Sequence, residues 1–163
     1  MKLRYILFIL SVALFCKLGA QPVTRTDHHG DKDEVTTGTM TIRKPDYICI
    51  STNGGKESLI MEGTKFTMGM GGRQYVTDSR KNNQFAAFHD VLKAVINGQP
   101  VPAGKEVTVV TKNGQKIITI TPPKKWLQMF SSYVLVTDAD GSVIRRLRMN
   151  GKRGGRYINY DVQ

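Results

Sequence analysis

The chain has 163 residues and a formal net charge of +11, from 24 lysines and arginines against 13 acidic residues. This length suits one domain with one core rather than several. Beyond the N-terminus no stretch approaches the run of about 20 apolar residues that crosses a bilayer, which excludes a protein with several membrane-spanning helices. The positive charge favours an anionic partner, such as lipid headgroups, an acidic protein or nucleic acid.

The first 20 residues have the pattern of a secretion signal. Lys2 and Arg4 precede a short apolar stretch, and small residues lead up to Ala20. We therefore predict a soluble exported protein that is cleaved after Ala20. A lipoprotein signal with Cys16 as the acylated residue is the alternative, although Phe15 stands where such signals have a small residue.

Removal of the signal changes the charge and the cysteine content. It leaves 21 basic residues against 13 acidic ones, which is a net charge of +8, and Cys49 as the one cysteine. A single thiol excludes an internal disulfide, so cohesion must come from packing. Export also makes nucleic acid the least favoured of the anionic partners.

Residues 21–37 predict a flexible polar lead-in, because they contain too few apolar side chains to offset the cost of ordering. His28, His29 and Asp31 are metal-ligating residue types. A zinc site needs ligands that are fixed by a fold and supported by further hydrogen bonds, and a flexible arm offers neither. We therefore predict no metal site and place the start of the folded domain at Gly38, so that it covers residues 38–163.

From Gly38 onward, apolar and polar residues alternate with the period of two that is typical of half-buried strands. Met40 and Ile42 share one face of a strand, and Ile48 and Ile50 share one face of the next. Turn signals with Asn and Gly predict hairpins, and the last segments predict a closing meander. We expect a mostly β fold with eight or nine antiparallel strands and one confident helix.

That helix is predicted near residues 83–97, with Asn82 or Asn83 as its cap and Gly98 at its end. Its apolar stripe consists of Phe85, Phe88, Leu92 and Val95 or Ile96. A single stripe indicates one buried face, which packs against either the sheet or a bound ligand. His89 lies beside the stripe, and we interpret it as a surface or packed residue rather than a catalytic base.

The sequence contains no recognisable arrangement of catalytic residues. Cys49 lacks an evident charged neighbour, which favours a packed thiol over a nucleophile. We therefore predict a protein that is not an enzyme and has no cofactor.

Basic residues cluster near the C-terminus. Alternation places Arg146 and Arg148 on one face of a strand and Leu147 and Met149 on the other. The two arginines, together with Lys152 and Arg153, either dock an anionic partner or form a solubilising face.

Two stretches carry a family resemblance: Gly38-Thr-Met-Thr-Ile-Arg-Lys-Pro45 and Glu57-Ser-Leu-Ile-Met-Glu-Gly63. They resemble the opening strands of the periplasmic outer-membrane lipoprotein carriers, the LolA-like family, and the helix and meander follow in the same order. The resemblance covers roughly residues 38–162. It implies an incomplete antiparallel β-barrel, or half-barrel, whose concave apolar face is covered by helices.

The resemblance also implies a function. Such carriers take acylated lipoproteins from an inner-membrane transporter and pass them to an outer-membrane acceptor, so we expect a periplasmic monomer with lipoprotein acyl chains or lipid as its ligand. The residues expected to line the acyl cavity are Met40, Ile42, Ile48, Ile50, Leu59, Met61, Phe66, Met68, Phe85, Phe88 and Leu92. The alternative is an envelope interaction protein of the same fold that docks a partner through Arg146, Arg148, Lys152 and Arg153.

Two departures from the family pattern stand out. Lys44 replaces an arginine that contacts the lid, and a lysine is a point charge without the planar fork of a guanidinium. The family also has a helix and a strand before the glycine, whereas only the polar residues 21–37 precede Gly38 here. We therefore expect part of the lid and one strand to be missing.

Overall fold

A computed structural model of the protein describes residues 19–124, 128–153 and 155–163. The described residues form eleven strands and one α-helix, α1, over Asn83–Ile96. The strands are β1 (Gln21–His29), β2 (Lys32–Arg43), β3 (Tyr47–Thr52), β4 (Glu57–Glu62), β5 (Lys65–Met70), β6 (Arg73–Asp78), β7 (Val107–Lys112), β8 (Gln115–Ile120), β9 (Phe130–Asp138), β10 (Ile144–Gly151) and β11 (Tyr157–Val162). The predicted secretion signal falls almost entirely outside the described residues.

All eleven strands belong to one antiparallel sheet in the order β6-β5-β4-β3-β2-β1-β11-β10-β9-β8-β7. The two ends of the chain meet at its centre, where β1 pairs with β11. The sheet is open, since β6 and β7 lie at its two edges and do not pair. The predicted fold class, a mostly β half-barrel with one helix, is confirmed, although the strands outnumber the eight or nine expected.

The predicted flexible lead-in is wrong. Gln21–His29 is β1, a central strand of the sheet, and the rest of the segment begins β2. Val23 and Arg25 of β1 are buried, with 1% and 2% of their surface exposed. The strand that was expected to be missing is therefore present, and the sheet begins at Gln21 rather than at Gly38.

Gly38 lies in the middle of β2 and is needed for a steric reason. A Cβ atom at this position would lie 1.9 Å from the carbonyl oxygen of Ser51 in β3. Any side chain here would therefore push the two paired strands apart, so the glycine marks a close backbone approach rather than the start of the fold.

The helix lies inside the curve of the sheet. The ring of Phe88 stacks between Phe66 of β5 and Tyr133 of β9, with centroid distances of 5.3 and 4.2 Å. Six strands separate β5 from β9 in the order of the sheet. One helical side chain touches both, so the sheet must curl around α1.

Capping and two polar contacts hold α1 in place. Asn82 caps the helix by accepting a hydrogen bond from the backbone N–H of Gln84 at 3.1 Å, as predicted for one of the two asparagines. Nε2 of His89 bonds to the carbonyl of Gly63 at 2.9 Å, and Nδ2 of Asn97 donates to the carbonyl of Pro45 at 2.6 Å. His89 is thus buried and packed, and it ties the helix to the turn after β4.

Candidate functional site

The residues expected to line an acyl cavity do come together, but they form a packed core. Apart from the half-buried Ile42, each is at most 7% exposed and belongs to one apolar cluster. The apolar stripe of α1 faces the sheet. Of the two possibilities that the sequence left open, the sheet and a bound ligand, the helix therefore packs against the sheet. The concave face is therefore filled by the protein's own helix, and the role of these residues in acyl binding stays a prediction.

Lys44 lies in the turn between β2 and β3, and its side chain is exposed. One contact between this turn and the end of α1 is the hydrogen bond from Asn97, the residue after the helix, to the carbonyl of Pro45. A side-chain amide and a backbone carbonyl thus link the turn to α1. The part of Lys44 in holding a lid stays a prediction.

The four basic residues expected to dock a partner fall into two groups. Nε of Arg146 donates to Asp161 at 2.6 Å, and the guanidinium of Arg148 lies 3.6 Å from the ring centroid of Tyr157. Both side chains are thus engaged within the sheet. Lys152 and Arg153 follow β10 in its turn to β11, where they are exposed and border a pocket.

That pocket, here called the mouth pocket, has a volume of about 470 Å³ and lies at one end of the half-barrel. Its apolar wall consists of Met70, Met129, Phe130 and Ile158, and its basic rim consists of Lys152, Arg153 and Arg156. Met70 ends β5, whereas Phe130 and Ile158 come from the opposite half of the sheet and Met129 directly precedes β9. The volume is within the range of about 300–1,000 Å³ that is usual for small-molecule sites.

A second concavity of about 750 Å³, here called the side pocket, adjoins the mouth pocket. The two share Gln128 and Lys152. Its other described lining residues are Thr121, Pro122, Lys124, Ser131 and Ser132. Hydroxyls and amines line this pocket, but most of its lining surface is apolar, as in the mouth pocket.

Behind the mouth pocket lies a buried ion-pair cluster centred on Arg25. Asp27 lines the pocket and accepts a hydrogen bond from Nη2 of Arg25 at 3.0 Å. Nη1 of Arg25 lies 3.1 Å from Oε2 of Glu57, which also accepts hydrogen bonds from the hydroxyls of Thr36 and Thr52. The cluster connects β1 with β4 across the concave face.

The cluster compensates the charge of Arg25, which is buried. Burial lowers the pKa of this guanidinium, but Tyr160, Glu57 and Asp27 raise it more, so it lies above its ordinary value. Sequence reasoning missed Arg25 because it lies in a polar segment. The available signal was the alternation of Val23, Arg25 and Asp27 with threonines, which is typical of a strand.

Three further observations concern the described residues only. No three His, Cys, Asp or Glu side chains among them lie close enough to hold a metal ion. His28, one of the two histidines of the predicted lead-in, bonds to Asp33 across the β1–β2 hairpin. Its ring also stacks on that of Tyr157, with a centroid distance of 4.7 Å. In this part of the chain, no helix is long and apolar enough to cross a membrane.

Comparison with known proteins gives matches by structure and none by sequence. No protein-family model matches the chain, and no curated protein does. One similar structure is that of a LolA superfamily protein from Nitrosomonas europaea, with 7% identity, a TM-score of 0.33 and coverage of 88% of this chain and 83% of that one. Another is a DUF1329 family protein from Desulfovibrio piger, with 12% identity, a TM-score of 0.38 and coverage of 88% and 82%. At these identities the similarity concerns the fold alone.

Proposed function

We propose that the protein is a non-enzymatic carrier in the periplasm, which binds the acyl chains of lipoproteins or lipids and delivers them to the outer membrane. The observation that carries this proposal is the mouth pocket. It opens beside a continuous apolar interior, and its wall is built from two methionines, a phenylalanine and an isoleucine. An acyl chain needs such a surface, because each buried methylene contributes about 0.8 kcal/mol.

The interior next to the pocket is suited to rearrangement. Met40, Met61, Met68 and Met149 belong to the apolar cluster that faces α1. Methionine side chains are unbranched and adapt their shape to different neighbours. An entering chain occupies the mouth pocket first and reaches the interior as α1 moves away from the sheet.

The test compares two matched variants in acyl binding. Met129 lines the mouth pocket and is 40% exposed, so Met129→Glu introduces a carboxylate at the ligand without burying it in the core. Val110 in the edge strand β7 is 56% exposed and lies outside the pocket, so Val110→Glu is the control. Binding of a fluorescent fatty acid should weaken about tenfold or more in Met129→Glu, which corresponds to about 1.4 kcal/mol, and stay unchanged in Val110→Glu.

Mass spectrometry of organic extracts from the native protein provides the second measurement. Stoichiometric acyl species in the extract would identify the cargo class, and transfer of a loaded lipopeptide to acceptor vesicles would distinguish a carrier from a storage protein. A clean extract together with no saturable fatty-acid binding would refute the proposal.

A further inference from the structure

The edge strand β7 carries backbone groups that no described strand pairs with. It is the last strand in the order of the sheet, and its one neighbouring strand there is β8. The backbone N–H of Thr121 donates to the carbonyl of Glu106 at 2.8 Å, and this bond fixes the alternation along the β7–β8 ladder. The even-numbered residues of β7 therefore bond to β8, whereas Val109 and Thr111 direct their N–H and C=O groups towards the free edge.

The side chains of this edge are also those of a strand that takes a partner. No charged residue and no proline occurs over residues 107–111, and Val109 and Val110 are 48% and 56% exposed. Natural edge strands are usually protected by charges, prolines or bulges. We infer that β7 pairs antiparallel with β7 of a second copy of this chain, which gives a two-fold symmetric dimer with one continuous sheet. This inference does not depend on acyl binding.

The hydrogen bonds of the edge select one register for this pairing. The N–H of Val107 donates to the carbonyl of Gly104 at 3.2 Å, so this residue is already engaged. The outward groups that remain are those of Val109 and Thr111. All four are satisfied when Val109 of each copy lies opposite Thr111 of the other. Val110 then lies on the two-fold axis, directly opposite its own counterpart.

In this register the apolar side chains of the outer face form one stripe. Val110 lies opposite Ile117 of β8, and Ile117 lies opposite Val136 of β9. These three share the face that is turned away from α1, because the next residue of β8, Ile118, belongs to the apolar cluster that faces the helix. The dimer joins two such rows end to end, and the exposed Val110 of each copy is covered by the other.

The charges that flank β7 complement each other across the two-fold axis. Glu106 and Lys112 are six residues apart and therefore share a face, and in this register each lysine is a diagonal neighbour of the other copy's glutamate, within reach of a long side chain. At the other edge of the sheet, Arg73 and Asp78 of β6 are five residues apart and lie on opposite faces. Asp78 also accepts a hydrogen bond from Arg80 at 2.9 Å. A second copy thus fits β7 better than β6.

Sedimentation equilibrium of the purified protein tests the dimer, whereas the family resemblance implied a monomer. The mass should approach twice that of one chain as the concentration rises. Val110→Glu places two carboxylates opposite each other and should raise the dissociation constant about tenfold or more. Val76→Glu in β6 is the matched control, because Val76 is also an exposed edge valine, at 65%, and its replacement should leave the mass unchanged.

A charge swap tests the two flanking residues. Glu106→Lys and Lys112→Glu should each weaken the dimer several-fold, because each places like charges near one another across the axis. The two substitutions combined in one chain restore opposite charges at both contacts and should restore the dimer. Two single variants that weaken it and a double variant that stays equally weak would contradict this contact.

Cross-linking tests the register. Residues opposite each other in a pair without backbone hydrogen bonds have Cα atoms about 4.5 Å apart, within the range of about 4.4–6.8 Å that disulfides span. Oxidation of Val110→Cys should therefore link two copies through position 110. The parent protein, which keeps Cys49, is the control and should stay unlinked.

The outcomes separate this inference from the proposed function. A mass of one chain up to about 1 mM would overturn the dimer, because even weak association is visible at that concentration. A dimer that survives Val110→Glu, or one that dissociates in Val76→Glu, would overturn β7 as its interface. Fatty-acid binding by Val110→Glu is measured independently, so the loss of the dimer leaves the acyl site to its own test.

Discussion

Replacing Arg25 with methionine should strongly destabilise the fold. The guanidinium is 2% exposed and lies between the carboxylates of Asp27 and Glu57, at 3.0 and 3.1 Å. In Arg25→Met the apolar volume is largely kept, but Glu57, which is only 14% exposed, loses its cation. Removal of one partner from a buried ion pair costs about 3–5 kcal/mol, because the other charge is left uncompensated.

The structure places the expected loss at the lower end of that range, at about 3 kcal/mol. Asp27 is 26% exposed and lines the mouth pocket, so it can turn towards water. Glu57 also keeps the hydrogen bonds from Thr36 and Thr52. A loss of this size is still a large part of the about 5–15 kcal/mol that stabilises a typical domain.

A double-mutant cycle isolates the ion pair from the packing effect. Glu57→Gln keeps an acceptor for the two threonine hydroxyls but removes the charge, so Arg25→Met combined with Glu57→Gln should be more stable than Arg25→Met alone. We expect a coupling free energy of about 2 kcal/mol between the two positions, within the range seen for contacting residues. Arg146→Met is the control, because the pair of Arg146 with Asp161 is 49% and 41% exposed and should contribute about 1 kcal/mol or less.

Urea unfolding followed by circular dichroism measures all of these free energies, and an unchanged urea dependence would show that the unfolded state is comparable. The reasoning would be refuted if Arg25→Met lost less than about 1 kcal/mol, or if the coupling with Glu57 were below about 0.5 kcal/mol. Either result would mean that water reaches the cluster and compensates the charges.

Two further predictions concern the aromatic stack under α1. Phe88→Ala should lose about 3–5 kcal/mol in the same assay, because Phe88 is fully buried between Phe66 and Tyr133, and the cavity it leaves should bind a small apolar probe measurably better than the wild type does. Tyr133→Phe should be neutral or stabilising by up to about 1 kcal/mol at pH 7, because the buried hydroxyl has no hydrogen-bond partner among the described residues. Burial raises the pKa of Tyr133 above its ordinary value, so the unfolded state ionises first and the wild type loses stability as the pH rises above about 10. Tyr133→Phe should lose less stability over that range, and equal alkaline unfolding curves would contradict the explanation.

The period of two in the sequence was enough to predict most of the sheet, because those strands bury one apolar face. It also predicted the two faces of β10, where Leu147 and Met149 are buried and Arg146 is exposed. It failed for β1, whose inward residues include Arg25 and Asp27. The burial of Arg25 depends on Glu57, a partner far away in sequence, and no local pattern shows such a partner.

The candidate site was predictable in its composition but not in its location. The apolar residues expected to line a cavity do converge, yet the sequence left open whether the stripe of α1 packs on the sheet or on a ligand. The mouth pocket was missed because Met70, Phe130 and Ile158 meet only through the curl of the sheet. Likewise, the stacking of Arg148 on Tyr157 links two strands and has no signature in either segment.

The packed interior bears directly on how a carrier of this kind would release its cargo. An acyl chain with about 14 methylenes would contribute about 11 kcal/mol on full burial. To enter the interior it must displace the stripe of α1, and exposing Phe85, Phe88 and Leu92 costs about 1.5–3 kcal/mol for each side chain. The helix thus competes with the cargo for one surface, and much of the gain from burial is offset. On the proposed function, this competition keeps binding weak enough for the cargo to be handed on, and α1 refills the half-barrel as the chain leaves.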